Sequence, residues 1–449
     1  MDNARVMTRD SHVVNTLDLL SAVFADYPGR DFAIRLWDGT IWEPRGSNEH
    51  HFTIVLNGPS ALRWMFFPPT ERKLGEAYMF GDFEIEGELY AAIDLARYLW
   101  EGWSLSDTLR FAPKLLRLPS RDPGSNNHIA HLSGAKHSVT RDMQAIQYHY
   151  DVSNEFYQLW LDERMVYSCA YFQDPAESID DAQARKLDYI CRKLRLQPGD
   201  RLLDIGCGWG ALIMHAAERY GVEALGITLA EKQLALANER IEAAGLSGRC
   251  RAELLDYRNV DDSQPFDKIV SVGMVEHVGR ENLGIYFDKA YSLLKTGGVF
   301  LNHGITLFQA PRVAQYQAKD SFVQQYIFPD GDSQHIAYVL DVAAKAGFEV
   351  RDVESLREHY ALTLKNWLKR YEAHEDTILD MLGPVGYRRW RIYLAGARWS
   401  FESGYNSIHQ ALLYKSREGK GASGDLPLNR DDWYVDSGEN QANATEAPN

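Results

Sequence analysis

Cysteine is scarce in this chain, with four residues in 449. Cys169, Cys191, Cys207 and Cys250 show no C-x2-C spacing, which excludes a zinc ribbon or a disulfide-framework domain. Two of the four fall in loops read below as parts of an active site, so a reducing, cytoplasmic setting is expected. Basic excess is also missing: 48 Lys+Arg stand against 63 Asp+Glu, a net charge of −15. A nucleic-acid partner is excluded on that ground, because phosphate neutralisation needs a clustered cationic face. No run approaches the ~18 apolar residues of a membrane span, and the first ten residues lack a signal-peptide apolar region. Any membrane contact is therefore expected to be peripheral, at the inner face.

What is present describes an ordinary globular protein. Hydrophobic residues make up 45% and charged residues 25%, and the length corresponds to two or three domains at about 150 residues each. Residues 1–120 read as an N-terminal α+β module. Short strands are expected at Phe32–Trp37, Thr40–Trp42 and Phe52–Leu56, with Asp38-Gly39 as the hairpin turn between the first two. A helical stretch follows over Leu89–Leu118. Pro119 to Asn127 has almost no apolar content and places a linker at 121–139. A second domain is expected over 140–420, and a flexible polar tail over 421–449.

The second domain alternates helices and strands as a doubly wound α/β fold does. Ser178-Ile-Asp-Asp181 is an N-cap pattern, followed by apolar Leu187, Ile190, Cys191 and Leu194 at helical spacing, with Pro198-Gly199 as the stop. Strand Arg201–Ile205, helix Ala211–Tyr220, strand Ala224–Thr228 and helix Ala230–Ala244 follow. Strand Lys268–Val272, a helix near Leu283–Leu294, the turn Lys295–Gly298 and strand Val299–His303 complete the series.

The turn Asp204-Ile-Gly206-Cys-Gly208-Trp-Gly210 sits between a buried strand and a helix. Glycines let the backbone approach a ligand there, and the helix N-terminus offers unpaired N–H groups. Gly206-x-Gly208-x-x-Ala211 also satisfies a dinucleotide pattern, but that reading requires an acidic residue about 20 positions on. The sequence there is Gly226-Ile-Thr-Leu-Ala230, without a carboxylate, and NAD is disfavoured. The turn is similar to the first motif of S-adenosylmethionine-dependent methyltransferases.

Further motifs occur in order: His149-Tyr-Asp-Val-Ser-Asn154, Tyr167-Ser-Cys-Ala-Tyr-Phe172, Gly226-Ile-Thr-Leu-Ala-Glu-Lys-Gln233, Val275-Glu-His277, His303-Gly-Ile305 and His359-Tyr-Ala-Leu-Thr-Leu-Lys-Asn-Trp367. The series resembles the cyclopropane-fatty-acyl-phospholipid synthase family over roughly Met143 to Tyr414. The resemblance implies a Rossmann-like class I methyltransferase domain beside the smaller N-terminal domain. It implies transfer of a methylene group from S-adenosylmethionine to a cis double bond in a phospholipid acyl chain, giving a cyclopropane ring. By position, Tyr167, Ser168, Gly206, Cys207, Gly208, Thr228, Leu229, Gln233, Tyr257 and Arg258 would hold the methyl donor. Asp256-Tyr257-Arg258 departs from the family pattern, which has a Trp in that loop. Cys169, Glu276, His303, the backbone of Ile305 and Tyr360 match residues that hold a bicarbonate ion. No metal is implied, and a homodimer is.

The residue types suit the chemistry. An alkene is a weak nucleophile, so alignment with the sulfonium methyl decides the rate. The resulting carbocation can be stabilised by aromatic faces, for which Tyr167, Tyr171, Phe172 and Tyr360 are candidates. A buried anion oriented by Glu and His would then take a proton from the delivered methyl. Some relatives carry a carboxy-terminal cysteine; Tyr393-Leu-Ala-Gly-Ala-Arg-Trp-Ser-Phe401 has none, so a covalent route through that thiol is closed. Two rival functions share the scaffold: a methylene- or methyl-branching fatty acyl methyltransferase, and a small-molecule amine methyltransferase. A third is a non-catalytic lipid-binding protein. Lipid contact is expected from Leu95–Trp103 and Lys114–Arg121, where aromatic, apolar and basic residues mix, or these stripes and Met65-Phe-Phe67 face the core.

Overall fold

The structure, a computed structural model, describes residues 10–46, 49–67, 69–121, 132–150, 152–308, 321–417 and 426–434, without side chains at 147–150. Much of the expected linker, Asp151 and the side chains of His149 and Tyr150 in one motif, and the tail beyond 434 lie outside the described residues. The described residues divide into two compact units. One falls within Met1–Ala130, Lys319–Ile327 and Tyr371–Trp399, the other within His131–Ala318, Phe328–Arg370 and Ser400–Asn449. The domain expected over 140–420 is therefore interrupted twice.

In the first unit, strands β1 (Phe32–Arg35), β2 (Ile41–Trp42), β3 (Phe52–Leu56) and β4 (Phe83–Gly87) form a sheet in the order β2-β1-β3-β4. β1 and β2 are the expected antiparallel hairpin, whereas β1 and β3 run parallel. The single helical stretch expected over Leu89–Leu118 is two helices, Leu89–Gly102 and Leu105–Leu115. Ser104 separates them with a capping box: its Oγ accepts from the Asp107 N–H at 3.1 Å, and the Asp107 carboxylate accepts from the Ser104 N–H at 2.9 Å. Those two local bonds outcompete continuation of the helix. Side chains explain why distant segments join this unit. Tyr326 donates to buried Glu76 at 2.8 Å, Trp399 Nε1 donates to Asp94 at 3.0 Å, and Arg388 pairs with Glu84.

The second unit is built on strands β5 (Arg201–Ile205), β6 (Glu223–Thr228), β7 (Cys250–Leu254), β8 (Phe266–Val272), β9 (Leu294–Leu307), β10 (Glu349–Ser355) and β11 (Asn406–Tyr414). Their order is β7-β6-β5-β8-β9-β11-β10. β5 to β9 pair in parallel, while β11 is antiparallel to both β9 and β10. Successive residues of each central strand enter opposite layers. Leu202, Ala224, Val270 and Leu301 pack with the helices Ile179–Leu194, Ala211–Tyr220 and Glu231–Ala243. Leu203, Leu225, Ile269 and Phe300 pack with Leu283–Leu293 and Ile336–Lys345. A parallel sheet must be covered on both faces in this way.

Ser178 caps its helix as expected, accepting from the Asp181 N–H at 3.1 Å. That helix ends at Arg195, in the left-handed region at φ 51°, before the expected Pro198-Gly199 stop. Lys295–Gly298, expected as a turn, lies inside β9, where Gly297 takes φ 85°. The expected flexible tail is partly ordered. Over 426–434 it contains a short helical turn, Asp431–Trp433, with Trp433 buried and Asp432 paired to Arg195 at 2.7 Å.

Candidate active site

The chain order of the sheet reverses between β5 and β8, and the carboxyl ends of those strands are where doubly wound folds bind ligands. A cleft of about 180 Å³ opens there. Gly206, Gly208 and Gly210 follow β5 with φ of 90°, 54° and 83°, values only glycine adopts without strain. The turn lies hard against β6. A Cβ on Gly226 would come within 2.6 Å of Cys207 Cβ, so the absent side chain is what lets the turn seat.

All ten residues assigned to the methyl donor line this cleft: Tyr167, Ser168, Gly206, Cys207, Gly208, Thr228, Leu229, Gln233, Tyr257 and Arg258. Thr228 Oγ1 donates to Gln233 Oε1 at 3.0 Å at the end of β6, where a dinucleotide enzyme would place an acid. Asp256 caps the following turn and grips Arg258, whose Nη2 also reaches Asp142 at 3.1 Å. Burial pushes the Tyr257 phenol up to about 12.

Lys186 and Gln183 escaped the sequence reading, and Asp204 entered it only as the first residue of the glycine turn. Lys186 Nζ donates to Ser168 Oγ at 2.9 Å, and Gln183 Nε2 donates to the carbonyls of Val166 and Ser168 at 3.2 and 2.8 Å. The segment carrying Tyr167 is thus held by the helix Ile179–Leu194. Burial lowers Lys186 to about 8 and raises Asp204 to about 7. One signal was available. Lys186 and Lys193 fall on the apolar face of that helix, and lysine is almost never fully buried without a partner.

The five residues assigned to the reaction centre do not line the cleft; they are gathered in an adjoining layer of the same unit. Cys169, Glu276, His303 and Tyr360 are all buried. The Ile305 backbone lies close enough to the Glu276 carboxyl to lower its pKa against the effect of burial, and Ile305 pairs with Ile408 across β9 and β11. The Ile408 carbonyl accepts from Leu356 N–H at 2.9 Å, and the Leu356 carbonyl accepts from Tyr360 N–H at 3.0 Å and from Cys169 Sγ at 3.7 Å. Glu276 Oε2 and His303 Nε2 are buried without a hydrogen-bond partner. Burial raises Glu276 to about 7. Burial, then the charges of Lys186 and Lys193, hold His303 well below the ordinary histidine range, and burial raises the Cys169 thiol. Two of these buried groups, Glu276 and His303, therefore each leave one polar atom unmet.

Aromatic rings connect the two regions. Tyr360 lies 6.0 Å from Trp367 edge-on, and Trp367 lies 5.2 Å from Tyr167 at the cleft wall. The four proposed cation-stabilising rings separate here. Tyr171 stacks on His359 at 4.7 Å and the Phe172 N–H donates to His359 Nδ1, so these two belong to a different cluster from Tyr167 and Tyr360.

The sequence profile described as mycolic acid cyclopropane synthetase matches residues 137–411. The chain belongs to that family. It is 40% identical over 403 residues to a "Probable fatty acid methyltransferase" of Pseudomonas putida, covering 89% of this chain and 95% of that protein. Among solved structures it is similar to the cyclopropane synthase MmaA2 of Mycobacterium tuberculosis, at 33% identity and a TM-score of 0.57 over 60% of this chain and 97% of that one. It is also similar to mycolic acid cyclopropane synthase CmaA1 in complex with SAH and CTAB, at 35% identity and a TM-score of 0.57 over 60% and 97%. A domain family of unknown function matches residues 19–99. As a member of its family the chain is an S-adenosylmethionine-dependent methyltransferase with a class I fold. No helix among the described residues is long and apolar enough to cross a membrane.

Proposed function

We propose that this chain transfers the methyl carbon of S-adenosylmethionine to the cis double bond of an unsaturated phospholipid acyl chain and closes a cyclopropane ring. The observation that carries this reading is the pair of buried, unpartnered atoms, Glu276 Oε2 and His303 Nε2. An amine can lose its proton to water, whereas ring closure from a carbocation needs a proton acceptor held away from water. The donor set fits a small oxyanion. His303 Nε2 and a Glu276 carboxyl protonated near neutrality can both donate, and Cys169, the Ile305 backbone and Tyr360 complete the shell that would hold bicarbonate. When bound, bicarbonate supplies a base of modest strength for a proton leaving the delivered methyl.

The chain's own residues do the rest. Gly206 to Gly210 and Gln233 position the methyl donor, and close alignment of the reacting carbons lowers the barrier. Tyr167 and Tyr360, with Trp367 between them, are the aromatic rings that would stabilise the developing cationic charge.

Access to lipid is supported by one surface of the first unit. Leu105, Leu109 and Leu116 are 77%, 69% and 53% exposed. Their spacing puts them on one side of the helix Leu105–Leu115 and its C-cap, beside exposed Arg110 and Arg117. An apolar stripe flanked by arginines suits the interface of an anionic bilayer. In the neighbouring stretch Leu95 and Leu99 are buried and Trp100 packs on Trp399, so that stripe faces the core.

The test uses purified protein, ¹³C-methyl S-adenosylmethionine and liposomes of a cis-monounsaturated phospholipid, with released acyl chains examined by NMR. High-field ring protons on the labelled carbon are expected. Vinylidene protons would assign the chain to methylene branching instead, and label appearing only on an added amine would remove the lipid reading.

A further inference from the structure

His303 and Gln410 face each other as a cross-strand pair of β9 and β11, each 1% exposed. Gln410 Nε2 lies 3.3 Å from His303 Nδ1. The other end of the amide, Oε1, lies 3.0 Å from Nζ of Lys193, itself 1% exposed. An ammonium has three donors and no acceptor, so it can face only the oxygen of an amide. The amide orientation is thereby fixed, and its NH₂ must point at the histidine. An NH₂ group offers only donors, so Nδ1 must be the unprotonated nitrogen, and the ring proton of neutral His303 must reside on Nε2.

Lys193 is well placed to impose this choice. It donates to Glu354 Oε2 at 2.6 Å and lies 3.7 Å from Asp352, while the rings of Tyr189 and Trp433 flank it at 4.8 and 5.2 Å. Two carboxylates and two aromatic faces hold its ammonium in place. Burial first, and then the ammonium groups of Lys186 and Lys193 with a smaller contribution from His409, oppose a second proton on the His303 ring.

We propose that Gln410, held by Lys193, is a positioning residue that locks His303 as the Nε2–H tautomer, making the atom that faces the reaction centre an obligatory hydrogen-bond donor. This rests on the reading of His303 as part of that centre. Its consequence is that His303 selects and orients an oxygen acceptor and does not itself take the proton.

The test is ¹⁵N NMR of histidine-labelled full-length protein at neutral pH, with the His303 signals assigned from the His303→Gln spectrum. The expected result is a pyridine-type Nδ1 and a pyrrole-type Nε2. Protonation at Nδ1, or at both nitrogens, in the unmodified protein overturns the proposal whether or not any variant folds. In Gln410→Met and in Lys193→Met the two tautomers should mix, and Gln410→Met should lower kcat about tenfold with KM for S-adenosylmethionine unchanged. An unmixed Nε2–H signal in a folded Gln410→Met protein also overturns it. The spectrum needs no lipid, so an Nε2–H ring in a protein that makes no acyl product keeps this proposal and removes the function, and the converse holds equally.

Discussion

Nζ of Lys186 donates to Oγ of Ser168 at 2.9 Å, tying a buried cation to the wall of the donor cleft. The same lysine lies within the electrostatic reach of Cys169 and Asp204. Ser168→Ala removes the acceptor and leaves the ammonium with one fewer partner. Calorimetry with S-adenosylhomocysteine should show about tenfold weaker binding, the scale of one charge-assisted hydrogen bond. Unchanged affinity would mean that the Ser168 hydroxyl plays no part in shaping the cleft.

Gly304 lies between His303 and Ile305, and there is no room at it for a side chain. A Cβ would fall 2.1 Å from Val275 Cγ1 and 3.0 Å from Glu276 Oε2. Gly304→Ala should displace the carboxyl and cut kcat on the order of 100-fold, as an ångström of misplacement does. The donor cleft is lined by other residues, so S-adenosylhomocysteine affinity should stay within about twofold. Equal losses in both would instead indicate general unfolding.

Glu276 carries a pH signature. Its folded pKa is raised from 4.5 to about 7 by burial, so the folded state holds its proton more tightly than the unfolded chain. The stability this provides is complete below 4.5 and is lost as pH rises through about 7. Glu276→Gln stays neutral throughout. Urea unfolding should show the variant gaining on the parent protein between pH 4.5 and 7, by up to about 3 kcal/mol at 1.36 kcal/mol per unit. A difference independent of pH would show that Glu276 titrates normally.

Charging the exposed stripe tests membrane contact. Leu105→Glu with Leu109→Glu should reduce co-flotation with anionic phospholipid vesicles at least about tenfold, because each leucine contributes roughly 1.5–3 kcal/mol when buried in an apolar phase. Turnover of detergent-dispersed lipid should persist. Undiminished flotation would place lipid contact elsewhere.

The parts of the fold that were legible in the sequence are those set by local chemistry. The helix Ala211–Tyr220 and strand Arg201–Ile205 match the expected bounds because a buried strand, a glycine turn and an amphipathic helix follow one another directly. Glu349–Ser355 was not read because an edge strand with four charged residues, Glu349, Arg351, Asp352 and Glu354, carries little apolar signal. Long-range pairing is equally silent: nothing in 371–399 announces that Trp399 donates to Asp94. The residues that line the cleft were legible as motifs, but buried Lys186 and Lys193 were not, since periodicity counts apolar residues and passes over a lysine among them. Trp433 was hidden by the polar residues around it.

In the proposed reaction one carbon moves from the sulfonium to an acyl chain and then gives up one hydrogen. Incubation with S-adenosylmethionine bearing a CD₃ group and an unsaturated phospholipid, followed by mass spectrometry of the acyl chains, tests it directly. The account predicts chains heavier by one CD₂ unit, with the third deuteron released to solvent. A product retaining an intact CD₃, on an acyl chain or on any other acceptor, would contradict it.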